Sequence, residues 1–153
     1  MAESKYQKLF LTDFREEPNF PGIASPQAYF RGAEQIPGAN LNMGWQLFTE
    51  PIQLETEPHT HDFDEYLCFL GGKLPDVFDF KAEIDFCIGE EQEPHLIDRA
   101  TIIFIPRGLA HNPLNFRKID EPVLFHAILL APKFVKTVDG KEVVFETPPR
   151  ANE

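Results

Sequence analysis

Short apolar runs separated by turn-forming residues constrain this chain more than any other feature. The runs cover residues 41–48, 52–55, 65–70, 77–80, 82–88, 95–97, 101–105 and 123–130. Gly71-Gly72, Gly89-Glu90-Glu91, Pro106-Arg107-Gly108 and Asp120-Glu121-Pro122 punctuate them. Many short strands with such punctuation predict an all-β sandwich or barrel. Fourteen prolines and nine glycines argue against long helices, and fifteen phenylalanines can fill a core. A length of 153 residues suits one domain. The expected parts are an irregular N-terminal arm over 1–39, a barrel over 40–131, and a C-terminal strand or hairpin with a tail over 132–153. The arm is expected to hold one or two short strands, is too apolar for a disordered tail, and is expected to pack on the barrel or on a second subunit. In the C-terminal part, residues 134–138 and 143–145 flank Asp139-Gly140, a favourable hairpin turn. Residues 148–153 are expected to fray.

Charge and cysteine content narrow the partners. A formal net charge of −11 repels nucleic acid and anionic membranes. Its plain reading is solubility. No stretch approaches a transmembrane span, and the N-terminus lacks the apolar run of a signal peptide. Cys68 and Cys87 are too few for a disulfide scaffold and are expected to be buried free thiols. A cytoplasmic location is the expectation.

The chemistry concentrates in two places. Pro58-His59-Thr60-His61-Asp62-Phe63-Asp64-Glu65 is followed later by Pro106-Arg107-Gly108-Leu109-Ala110-His111. Three of the chain's five histidines fall here. In an extended strand His59 and His61 project to one face, roughly 6–7 Å apart along the backbone. Glu65 can open the next strand. Pro106 and Gly108 make a stiff turn just before His111, the natural further ligand. Three imidazoles and one carboxylate suit a borderline divalent metal such as Fe, Mn, Ni, Co, Cu or Zn, whereas calcium and magnesium prefer oxygen shells. An isolated His-x-His usually means nothing; the added glutamate and turn-borne histidine make metal binding the better reading. A polar hydrogen-bonded cluster without metal is the alternative.

These residues resemble the two motifs of the cupin superfamily, G-x5-H-x-H-x3-4-E-x6-G and G-x5-P-x-G-x2-H-x3-N. His59, His61, Glu65 and Gly72 match the first, with Gln53 where its leading glycine stands. Pro106, Gly108, His111 and Asn115 match the second, with Ala100 in place of its first glycine. The resemblance covers about residues 40–131. It implies a jelly-roll barrel, the double-stranded β-helix, with one divalent transition metal (Fe, Mn, Ni or Zn) held by His59, His61, Glu65 and His111. It also implies open coordination positions for water, oxygen or substrate.

What the site does is less constrained, because one fold hosts many chemistries. The favoured reading is a metal-dependent small-molecule enzyme, of oxidoreductase or dioxygenase type, or a lyase or isomerase. Its substrate would be a carboxylate, enol or phenol. The alternative is a non-catalytic module that binds a small ligand. An enzyme needs a general acid or base beside the metal, and Glu55, Tyr66 and His126 are the candidates. His126 can equally be a satisfied core or interface histidine within its apolar run. Gln53 and Glu55 share the parity of His59, so both are expected on its inward face, and Phe69 likewise if no bulge intervenes. Trp45 is read as core or subunit packing before substrate stacking. The apolar arm and the family's habits suggest a homodimer.

Overall fold

The computed structural model describes residues 4–133 and 135–144. Its strands are β1 (Arg15–Glu16), β2 (Gln27–Phe30), β3 (Asn42–Phe48), β4 (Ile52–Glu55), β5 (Glu65–Gly71), β6 (Ala82–Ile88), β7 (Glu93–Ile97), β8 (Thr101–Ile105), β9 (His111–Ile119), β10 (Val123–Leu129), β11 (Val135–Val138) and β12 (Lys141–Val144). One sheet has the order β1-β2-β3-β10-β5-β8, a second β4-β9-β6-β7, and β11-β12 form a separate hairpin. Pairing is nested: β3 with β10, β4 with β9, β5 with β8, β6 with β7. The chain is thus one long antiparallel hairpin rolled up so that successive layers fall alternately into two sheets. This is the jelly roll, and the all-β expectation holds. No helix among the described residues is long and apolar enough to cross a membrane.

Phenylalanine joins the sheets. Phe48, from the six-stranded sheet, stacks on Phe116, from the four-stranded sheet, with centroids 3.9 Å apart. Phe125 meets Phe116 edge-on at 5.9 Å, and Phe69 lies 6.1 Å from Phe116. Ile84, Phe86, Val123 and Ile105 complete the layer. Burying such a ring contributes about 1.5–3 kcal/mol.

The six-stranded sheet has two unlike faces, fixed by register. Inward rows include Tyr29–Gly44–Ala127–Leu67–Ile103 and Asn42–Leu129–Glu65–Ile105. Outward rows are Phe30–Met43–Ile128–Tyr66–Phe104, Ala28–Trp45–His126–Cys68–Ile102 and Leu47–Leu124–Leu70.

Two expectations change. Residues 77–80 form no strand: the Asp76 carboxylate accepts from the Phe78 amide at 3.0 Å, and Gly71 N–H donates to the Val77 carbonyl at 2.7 Å, which closes a loop. The longest strand, β9, lies where the polar Asn112, Asn115, Arg117 and Lys118 hide the alternation of Leu114 and Phe116. The arm carries two short strands, β1 and β2, which extend the main sheet. The C-terminal hairpin forms around Asp139 (φ 50°) and Gly140 (φ 75°); Phe134 and Phe145 lie outside the described residues.

Candidate metal centre

His59 and His111 exchange two backbone hydrogen bonds, His59 N–H to the His111 carbonyl at 3.0 Å and the reverse at 3.1 Å. Directly opposed residues present their side chains to one face. His61 lies two residues further along the first segment, and its carbonyl accepts from Gly108 N–H at 2.9 Å. Gly108 has φ +82°, a conformation that favours glycine, and the Leu109 amide closes the turn on the Pro106 carbonyl at 3.1 Å. Glu65 opens β5 on its inward row.

The three rings converge. Centroids are 4.6 Å apart for His59–His61, 4.5 Å for His59–His111 and 5.2 Å for His61–His111. One nitrogen from each lies within 4.8 Å of the others, and all three residues are buried. The His61 Nδ1–H donates to the Val135 carbonyl at 2.6 Å, and the His111 Nδ1–H donates to the Leu109 carbonyl at 3.0 Å. These bonds leave both Nε2 lone pairs directed into the cluster. Asn112 Nδ2 sits 3.2 Å and 3.3 Å from the two ring nitrogens of His59.

The donor set tests well against a metal. Glu65 Oε1 is 3.1 Å from His111 Nε2 and 3.5 Å from His61 Nε2, yet it is buried without a well-formed hydrogen bond. A carboxylate that only paired with these rings would be aligned with an N–H. Burial, helped by the neighbouring rings of His111 and His61, pushes the His59 pKa down to about 2. Burial also lowers His61, against the opposing pull of Glu65 and of the Val135 carbonyl. Neutral imidazole is the form that ligates metal. The three-histidine group therefore fits a metal site.

A cavity of about 140 Å³ adjoins the cluster. His59, Glu65 and His111 line one end, with Leu54, Glu55, Leu67, Asn112, Leu114, Phe125 and Ala127. Asn19, Gln27, Tyr29, Arg31 and Gln46 complete the lining. Glu55 is there because a bulge between Gln53 and Glu55 breaks the alternation of β4. The same bulge leaves Gln53 exposed, so the shared inward parity does not hold. Lys136 pairs with Glu55 at 3.4 Å. Burial raises the Glu55 pKa, with Lys136 opposing.

The other two acid–base candidates do not reach the cavity. Tyr66 alternates with Glu65 and packs on Phe104 with centroids 5.2 Å apart, on the outward face. His126 alternates with the cavity residues Phe125 and Ala127, and stacks on Trp45 at 4.5 Å on that same outward face. Strand parity, not chemistry, removes them. His95 is exposed and pairs with Glu93 at 2.6 Å.

The arm supplies the residues that sequence reasoning missed. Arg31 donates through Nε and Nη2 to Glu16 at 2.7 Å and 2.6 Å, and its guanidinium lies 3.6 Å over the Tyr29 ring. Gln46 Nε2 donates to Gln27 Oε1 at 2.8 Å, and Gln27 Nε2 donates to Glu16 Oε1 at 3.3 Å. A Cβ at Gly44 would come within 2.5 Å of the Tyr29 ring, so the glycine seats that ring. The available signal was the alternation Gln27-x-Tyr29-x-Arg31, polar groups at period two against Ala28 and Phe30.

No protein-family model matches the chain, and no curated protein matches it. Solved structures do. An oxalate oxidase has 17% identity and a TM-score of 0.53, covering 86% of this chain and 64% of its own. An oxalate oxidase bound to the substrate analogue glycolate has 16% identity and a TM-score of 0.54, covering 94% and 67%. A point mutant of Bacillus subtilis oxalate decarboxylase has 14% identity and a TM-score of 0.51, covering 87% of this chain and 30% of its own. This chain thus spans less than two thirds of the first of these and under a third of the decarboxylase. With these likenesses added to the nested strand pairing and the buried cluster, the fold of this chain is that of the cupin superfamily.

Proposed function

We propose that this chain is a metal-dependent enzyme acting on a small carboxylate, enol or phenol, of oxidoreductase or dioxygenase type. His59, His61, Glu65 and His111 hold one Fe, Mn, Ni or Zn ion. One observation carries the reading: three imidazoles with inward nitrogens and an unaligned buried carboxylate meet at one end of a cavity. A divalent ion there supplies Lewis-acid polarisation, or redox chemistry if it is a redox metal.

The chain's own groups do the rest. Glu55, in the cavity wall, takes or gives a proton at its carboxylate: burial raises its pKa and the Lys136 ammonium opposes that rise. Tyr29 donates a hydrogen bond from its hydroxyl, because burial raises its pKa to about 12 and keeps it protonated. Leu54, Leu67, Leu114 and Phe125 exclude water. The Glu55–Lys136 pair also favours a second reading, ligand binding without turnover, since a paired carboxylate is a weaker base. The chain acts as a cytoplasmic homodimer in which the outward face of the six-stranded sheet meets its copy.

Elemental analysis of untagged protein beside its His111→Ala variant tests the site. About one ion per chain, lost in the variant, is expected. Full occupancy in the variant would sink the ligand set. Iron would direct assays to oxygen consumption, and zinc to hydrolysis, elimination or isomerisation. Turnover lost in Glu55→Gln at unchanged metal content separates enzyme from binder.

A further inference from the structure

The charges of the cavity wall are paired off. Arg31, the cation of the far wall, is held bidentately by Glu16, and both side chains are nearly inaccessible, at 10% and 4%. Lys136 is matched by Glu55. Imidazoles that ligate a metal are neutral, which leaves the Glu65 carboxylate as the charge without a cationic partner among the lining residues. With a divalent ion bound, the cavity carries one net positive charge. A monoanion neutralises it. A dianion leaves a buried negative charge uncompensated, which disfavours it.

The far wall also has a hydrogen-bond polarity. Glu16 accepts only, so Gln27 must turn its NH2 to it and its carbonyl to Gln46. Gln46 must then turn its NH2 to Gln27. The chain of bonds runs to Gln46, a lining residue whose NH2 is engaged with Gln27 and whose carbonyl is its acceptor for a ligand's donor. Size sets the third limit: about 140 Å³ is close to a cavity that encloses benzene, so roughly six to eight heavy atoms fit.

We propose that the cavity takes a small monoanion whose charged oxygens face the histidines and whose far end bears a hydroxyl or amide N–H that donates to Gln46, and that it discriminates against dianions. Short hydroxy-monocarboxylates are the chemical class. Oxalate, the compound in the neighbours' names, carries two charges and no donor. The inference rests on the metal-site reading and specifies its ligand.

Calorimetric titration of the metal-loaded full chain with three probes of one length tests it: 4-hydroxybutanoate, butanoate and succinate. The expected order of affinity is 4-hydroxybutanoate, then butanoate, then succinate, with about tenfold or more between the first and the last. Glu16→Gln frees the charge of Arg31 and should raise succinate binding relative to 4-hydroxybutanoate by about tenfold. Gln46→Leu should bring 4-hydroxybutanoate down to butanoate. Succinate binding as tightly as 4-hydroxybutanoate to the metal-loaded wild type overturns the inference, whether or not either variant folds. A folded Glu16→Gln variant that keeps its metal and an unchanged ratio also overturns it. A wild-type chain that takes up no metal overturns the metal reading, and this inference with it. A metal-loaded chain with the wrong order overturns this inference alone.

Discussion

At the scale of single residues, conformation and charge state decide as much as donor type. Gly44 shows the first. Its missing Cβ leaves room for the Tyr29 ring, and Gly44→Ala puts a methyl 2.5 Å from a ring that also carries the Arg31 guanidinium over it at 3.6 Å. Overpacking of this kind costs about 1–3 kcal/mol. The expected outcome is a lower urea midpoint and weaker ligand binding at unchanged metal content; a midpoint equal to wild type would remove Gly44 from the argument. The histidines show the second. His59 and His61 have pKa values lowered below 6.5 by burial, His59 to about 2. The unfolded chain therefore binds more protons than the folded one below pH 6.5, so stability is present above that pH and is lost as pH falls towards the folded values. Each such ring contributes up to about 1.4 kcal/mol per pH unit in that window. In metal-free protein, urea midpoints should fall from pH 7 to pH 5, before carboxylates titrate. A flat profile over that range would show that the rings are not buried neutral. The residues of the buried cluster were legible, because His-x-His, Glu and Pro-x-Gly-x-x-His carry their geometry in their spacing. Their second partners were not. Val135 O, 74 residues from His61, is a backbone atom whose contact depends on tertiary structure.

At the scale of elements, parity explains both the successes and the misses. Strands with clean alternation, such as β5 and β6, were found with boundaries close to those observed. Tyr66 and His126 were misassigned because an aromatic or imidazole group near a motif says nothing about its sheet face; that is fixed by Glu65 for one and by Phe125 and Ala127 for the other. Glu55 reaches the cavity through a bulge no composition announces. β9 was hidden by its polar outward residues, Arg117 bonding to Asp85 at 2.8 Å across the sheet. The β11–β12 hairpin was anticipated from Asp139-Gly140, but its role was not. It bonds reciprocally to Thr60 through Thr137 (2.9 and 2.8 Å), holds His61 through Val135, and matches Glu55 with Lys136. Loss of such outer support for a ligating histidine typically weakens metal affinity about 10–100-fold. Truncation after residue 133 should produce a folded barrel with metal affinity reduced by that order in competition with a chelator. Unchanged affinity would mean that the hairpin only covers the site.

At the scale of the whole molecule, the outward face of the six-stranded sheet stands apart from the chain's acidic character. Over β2, β3, β10, β5 and β8 its rows contain no Asp, Glu, Lys or Arg, although the chain carries a formal charge of −11. An antiparallel sheet with one solvated face normally alternates apolar and polar residues. Here Trp45 and His126 stack near the centre, Phe14 lies 6.4 Å from Trp45, and Ile102 and Phe104 on the edge strand β8 are 72% and 49% exposed. Burial lowers the His126 pKa, so this position stays neutral too. Five strands about 4.8 Å apart, four to seven residues long at about 3.4 Å per residue, make a footprint on the order of 500 Å² per chain. Two such faces total about 1,000 Å², the lower bound of a specific interface. Over these five strands a charged partner would find no counter-ion, the nearest in register being Arg15 on β1, whereas a second copy would present the same uncharged rows under two-fold symmetry. Light scattering should therefore give twice the 17.5 kDa chain mass at micromolar concentration. Ile102→Glu places a charge on an already exposed position, so the fold should persist, with an unchanged circular dichroism spectrum, while the mass falls to that of one chain. A monomeric wild type, or a dimer indifferent to Ile102→Glu and to a second charge at Phe104, would mean that the copy does not sit on this face.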